Sequence, residues 1–102
     1  MAVVKHRVGS LTKLQGGKPL SANIDGTRVA VFLVDGELVA TTGKCPHAGG
    51  PLFTGTLCGT LLTCPWHGWS FDLASGACEE DPELMLPFYP VSVDGDEVFV
   101  EL

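Results

Sequence analysis

Three Asp-Gly pairs, Asp25-Gly26, Asp35-Gly36 and Asp94-Gly95, limit the folds open to this chain more than any other feature. Each sits between apolar or alternating runs, and Asp-Gly accepts the positive φ values that a tight hairpin turn requires. The run Val29-Ala30-Val31-Phe32-Leu33-Val34 is short, rich in β-branched residues and closed by Asp35-Gly36, which predicts a buried strand. Residues Glu37 to Thr41 return as its hairpin partner. Val91-Ser92-Val93 and Glu97 to Glu101 alternate with period two on either side of Asp94-Gly95-Asp96, predicting a second hairpin. Leu57-Cys58 and Leu61-Leu62-Thr63, joined by Gly59-Thr60, predict a smaller third. Val3 to Val8 and Pro19 to Ile24 are further candidate strands, and only Gly9 to Leu14 could hold a helical turn. Short strands at this spacing predict an all-β antiparallel sandwich or barrel. The 102 residues leave room for one domain, 1–102.

Composition excludes several function classes. At 45% hydrophobic and 18% charged residues the chain is not disordered, and thirteen Gly with seven Pro do not suit a helical bundle. The net charge of −6 argues against nucleic acid, whose phosphates need Lys and Arg. The charge is unevenly divided: residues 1–44 hold all six Lys and Arg against three acids, whereas residues 45–102 hold nine acids and no Lys or Arg. Alone, that asymmetry reads as a solvated acidic surface. Lys5 follows three apolar residues after Met1, so no signal-peptide core is expected. The longest apolar run, six residues, is far short of a membrane span. A cytoplasmic location follows as the expectation, and there four cysteines bind metal or stay reduced rather than pair as disulfides.

Two segments depart from the strand pattern. Cys45-Pro46-His47-Ala48-Gly49-Gly50-Pro51 and Cys64-Pro65-Trp66-His67-Gly68-Trp69 each carry one thiol and one imidazole in a turn built from Pro and Gly. The order is Cys-x-His, sixteen residues, then Cys-x-x-His, and the hairpin signal between the boxes would bring their tips side by side. A structural zinc site also uses two Cys and two His, although zinc favours halves of one ligand type.

This pattern resembles the Rieske [2Fe–2S] family. The following Phe71-Asp72 and Gly76 extend the likeness, and its surroundings carry it over the whole length. The resemblance implies a Rieske-like fold with a cluster-binding subdomain of two hairpin-tip loops, about residues 43–73. Cys45 and Cys64 would hold one iron, and His47 and His67 the other. Two ferric irons balanced by two sulfides and two thiolates leave such a centre neutral, so it is easier to reduce than one with four thiolates. The range is roughly −150 to +300 mV, against about −400 mV for plant-type ferredoxins. High-potential members carry a disulfide where this chain has Gly50 and Trp66, and hydroxyl donors where it has Trp69 and Phe71. Hydrogen bonds to sulfur stabilise the reduced cluster. Their absence predicts a low, negative potential.

Cys58 and Cys78 match no ligand position and are expected to be small buried hydrophobes; His6 is expected at a surface or edge. Phe53, Trp66, Trp69, Phe71, Phe88 and Tyr89 are expected to form a dry shell about the cluster. Residues 79–90 resemble the family's proline-containing covering loop, and Glu79, Glu80, Asp81 and Glu83 would then lie near the electron exit. The implied function is a soluble one-electron carrier, not itself an enzyme, between a flavin-dependent reductase and a terminal oxygenase. It would dock through its acidic cluster face. The alternative is a small Rieske subunit of a larger oxidoreductase such as NAD(P)H nitrite reductase.

Overall fold

The computed structural model describes residues 4–16, 19–44, 51–66, 68–81 and 83–101. Among the described residues, ten strands form three antiparallel sheets. The first joins β1 (Lys5–Ser10) to β10 (Glu97–Glu101) and β10 to β9 (Val91–Asp94). The second runs β2 (Leu20–Ile24), β3 (Thr27–Val34), β4 (Glu37–Thr42) and β8 (Phe88–Tyr89). The third is β5 (Thr56–Cys58), β6 (Leu61–Thr63) and β7 (Ser70–Asp72). The expected antiparallel all-β class is the one observed.

The turns follow local chemistry. Asp25 and Gly26 take φ of 49° and 87°, and Asp35 and Gly36 take 49° and 82°, so both central residues are left-handed as a type I′ hairpin needs. The third pair behaves differently. Asp94 pairs with Glu97 inside the ladder, and Gly95, at φ 64°, becomes the first central residue, the position at which a type II′ turn takes glycine. The hairpin forms as expected but its turn is Gly95-Asp96.

The helical turn is α1 (Leu11–Gln15), whose N-cap is Ser10; the Lys13 amide donates to the Ser10 hydroxyl at 3.3 Å. Asp96 caps the same end from the far side of the sequence. Its carbonyl accepts from Leu11 at 2.8 Å, and its Oδ1 accepts from the Thr12 amide at 3.0 Å and the Thr12 hydroxyl at 2.7 Å. The Thr12 hydroxyl is the main cause of an Asp96 carboxyl held below its ordinary pKa; desolvation opposes it, and the Thr12 amide, Ser10 and Arg7 add smaller contributions in the same direction as the hydroxyl.

The apolar run in β3 is continuous because both of its faces are covered. Val29 and Val31 point into a core with Leu14, Leu20, Ile24, Val98 and Val100, while Ala30, Phe32 and Val34 point into a second core. That second core contains Leu52, Leu62, Cys64, Phe71, Leu73, Cys78 and Leu86. β3 is therefore the wall between the two larger sheets' core and the small sheet that carries the second Cys/His box.

Candidate metal centre

Of the four expected ligands, Cys64 falls among the described residues; Cys45, His47 and His67 lie outside them. Residues on either side of the two boxes show how each loop is anchored.

The second box joins β6 to β7. Thr63 pairs with Ser70, and the Cys64 amide donates to the Trp69 carbonyl at 2.7 Å, which narrows the connection to residues 65–68. Cys64 closes the ladder with 0% exposure and belongs to the core shared with β3. A thiolate placed there would be kept from water. Two residues on, Trp66 is 51% exposed. Phe71 is fully buried and Trp69 partly so, whereas Phe88 is exposed, so the six aromatics expected as a dry shell differ in burial. Trp66 lies beyond the Thr63–Ser70 pair that ends the three-residue β6–β7 ladder, and Phe88 lies in the two-residue edge strand β8, where little of a sheet covers a side chain.

The first box is clasped at its base. Lys44 and Pro51 form an antiparallel bridge across the segment that contains Cys45 and His47. Just before it, the Gly43 amide donates to the Arg28 carbonyl at 2.8 Å, fastening the segment to β3. A Cβ on Gly43 would overlap the Arg28 side chain, whose guanidinium carbon lies 5.0 Å above the centre of the Phe53 ring. Just after it, Leu52–Thr54 forms a 3₁₀ turn; the Thr54 amide and hydroxyl donate to the Pro51 carbonyl at 2.9 and 2.8 Å. Gly55 then passes so near β6 that a Cβ would overlap the Thr63 carbonyl oxygen. Glycine at 55 thus lets the chain leaving the first box lie against the chain leading into the second. The chain flanking each box is thus brought together at β6, while the tips expected to lie side by side fall outside the described residues.

The chain leading into residues 79–90, expected as the covering loop, packs on the free edge of β7. Ala77 to Glu79 add a partial fourth strand: Asp72 donates to Ala77 at 2.9 Å, Phe71 bridges Cys78, and Glu79 donates to Ser70 at 2.9 Å. The Ser70 amide donates to Glu80 Oε1 at 2.8 Å, and the Cys78 thiol lies 3.8 Å from the same oxygen. Across β6 and β7 the Thr63 and Ser70 hydroxyls bond each other at 2.9 Å. Asp81 turns the chain, its Oδ1 accepting from the Glu83 amide at 3.1 Å.

Cys78 is buried, as expected of a small apolar side chain, but Cys58 is exposed. It ends β5 immediately before the Gly59-Thr60 turn, where alternation sends Leu57 inward and Cys58 outward. His6 lies in the edge strand β1, opposite Val100. Glu80's inward role carried no local signal, since its partner lies ten residues away.

Residues 4–90 match the family model described as the Rieske [2Fe-2S] domain. The ferredoxin component of the naphthalene 1,2-dioxygenase system from Pseudomonas aeruginosa is 30% identical over 94 residues, which is 91% of this chain and 90% of that protein. Human apoptosis-inducing factor 3 is 32% identical over 95% of this chain, which spans 16% of that protein's length. Among solved structures, a complex of reduced oxygenase and oxidised ferredoxin in carbazole 1,9a-dioxygenase superposes with a TM-score of 0.83 at 30% identity, over 95% of this chain and 92% of that one. The nitrite reductase small subunit from Mycobacterium tuberculosis reaches 0.84 over 100% of this chain and 97% of its own, at 24% identity, a likeness of fold.

Proposed function

Because the chain belongs to the Rieske [2Fe–2S] domain family, we propose that it is a low-potential one-electron carrier acting between a flavin-dependent reductase and a terminal oxygenase, its whole length forming one cluster domain. The observation that carries this reading is its near end-to-end likeness to ferredoxin components of dioxygenase systems, which are electron-transfer parts rather than catalysts. The small subunit of a nitrite reductase is less well supported, since that likeness rests on the fold. Family membership also favours iron and sulfide over structural zinc.

The ligands we assign are Cys45 and Cys64 to one iron and His47 and His67 to the other. Cys64 fits this role: its position is dry, at the end of a hydrogen-bonded ladder, and its chemistry is that of a soft donor. Bound there, the cluster supplies reversible uptake and release of one electron. The protein contributes the rest. Cys64 and Phe71 are buried in the core against β3, so the thiolate side is shielded from water. Trp66, half-exposed between the assigned ligands Cys64 and His67, offers an apolar contact to a partner. The acids of residues 79–83 offer charge to a basic redox partner, and we place the protein in the cytoplasm; among the described residues no helix is long and apolar enough to cross a membrane.

Electron paramagnetic resonance of the protein, red-brown as purified and then reduced, tests the ligand set. The expected signal has the low average g of a cluster with two histidines on one iron. An average g typical of four thiolates, or a colourless zinc protein, would refute it.

A further inference from the structure

We propose that Glu80 is a positioning residue: its carboxylate latches the covering segment onto the hairpin that carries the second Cys/His box. The inference deepens the reading above and rests on that hairpin holding cluster ligands.

The argument starts from an unfinished ladder. β7 is the edge of its sheet, and Ala77 to Glu79 pair with it through the Asp72 amide, the Phe71–Cys78 bridge and the Glu79 amide. The next donor along β7 is the Ser70 amide, which needs an acceptor because Ser70 is 9% exposed. No backbone carbonyl arrives, since the chain turns away at Asp81, whose carbonyl accepts from Leu84 at 3.0 Å. Glu80 Oε1 takes that place at 2.8 Å, and draws in the Cys78 thiol at 3.8 Å. A side-chain oxygen thus completes the Ser70–Glu79 rung.

That rung is the one nearest the ligand loop. Ser70 pairs with Thr63 in backbone and hydroxyl, and these two residues flank the loop that the Cys64–Trp69 hydrogen bond closes. Fixing Ser70 therefore fixes the outgoing end of the loop that carries Cys64 and His67. Leaving a buried backbone amide without an acceptor costs enough to change local opening by about tenfold or more.

Three variants separate reach from charge. Glu80→Gln keeps the reach and an acceptor oxygen but loses the charge; Glu80→Asp keeps the charge and loses one methylene of reach; Glu80→Ala loses both. The readouts on the cluster-loaded protein are hydrogen exchange by mass spectrometry in the peptide containing Ser70, and the rate at which visible absorbance is lost to an iron chelator. We expect Ala and Asp to speed both by about tenfold, Gln to resemble the wild type, and exchange in β3 to stay unchanged in all. Unaltered exchange at Ser70 in Glu80→Ala would overturn the latch, and so would faster exchange with wild-type cluster release. Gln behaving like Ala while Asp retains the cluster would overturn it in favour of charge. If Glu80→Ala does not fold, the comparison of Gln with Asp still decides. A wild-type chain that takes up no cluster would sink the underlying reading instead, with the exchange comparison still testing the latch.

Discussion

The hydroxyl groups next to the second box are those of Thr63 and Ser70, and they bond each other at 2.9 Å. The two positions at which the family resemblance places sulfur-directed hydroxyls are Trp69 and Phe71, and Phe71 is fully buried. A reduced cluster bears extra negative charge on its sulfurs, so a missing donor disfavours reduction. Restoring one should raise the potential. Phe71→Tyr is expected to shift the midpoint upward by roughly 40 mV, the one-electron equivalent of a hydrogen bond worth about 1 kcal/mol. Redox titration of variant and wild type checks this, with a negative wild-type midpoint as the accompanying expectation. An unchanged or lower midpoint in a variant with full cluster content would remove the hydroxyl argument for this chain.

At the scale of elements, what the sequence made legible was what depends on neighbours. The Asp25-Gly26 and Asp35-Gly36 turns and the strands they join follow from residues in contact along the chain. The one-residue shift at Asp94-Gly95 follows because glycine suits two different turns, and the β9–β10 register selects one. The short strands β7 and β8 were not legible: Ser70–Asp72 reads as part of the ligand box, and Phe88–Tyr89 pairs only with Ala40 and Thr41. The box motifs were visible in sequence, whereas Gly55 against Thr63 and Glu80 against Ser70 are products of packing. Helix α1 shows the same division. Ser10 is a local cap, but Asp96 comes from 84 residues away. Its carboxyl pKa is depressed by the folded contacts, so its stabilisation is complete above the unfolded value and is lost as pH falls through the folded one. Asp96→Asn should therefore lower the urea-unfolding midpoint slightly and equally at about pH 6 and about pH 8, with the gap closing below about pH 4. A gap that widens in acid would contradict the assignment.

At the scale of the molecule, the −6 charge is unevenly divided along the chain, with all six Lys and Arg in residues 1–44 and nine of the twelve acids in residues 45–102. The basic residues Arg28 and Lys44 stand beside the base of the first box, whereas Glu79 and Glu80 lie at the edge of the sheet that carries the second, with Asp81 and Glu83 in the turn that leaves it. The acids are not equivalent. Glu80 and Asp81 have oxygens engaged by amides of their own fold, whereas the carboxylates of Glu79 and Glu83 stand at exposed positions. An exposed carboxylate contributes little to stability but acts at range on an approaching charge, over a Debye length of about 10 Å at 0.1 M salt. Steering by Glu79 and Glu83 would therefore show in association rate. The double variant Glu79→Gln/Glu83→Gln is expected to slow electron transfer from the reductase by about three- to tenfold at low ionic strength and to flatten its dependence on salt. Glu97→Gln, which breaks the exposed Arg7–Glu97 pair in the β1–β10–β9 sheet, is the control and should leave both unchanged. Stopped-flow reduction over a series of salt concentrations measures both quantities together. Equal salt slopes for the double variant and the wild type would place docking on another surface, with the half-exposed Trp66 and its apolar surroundings the next to test.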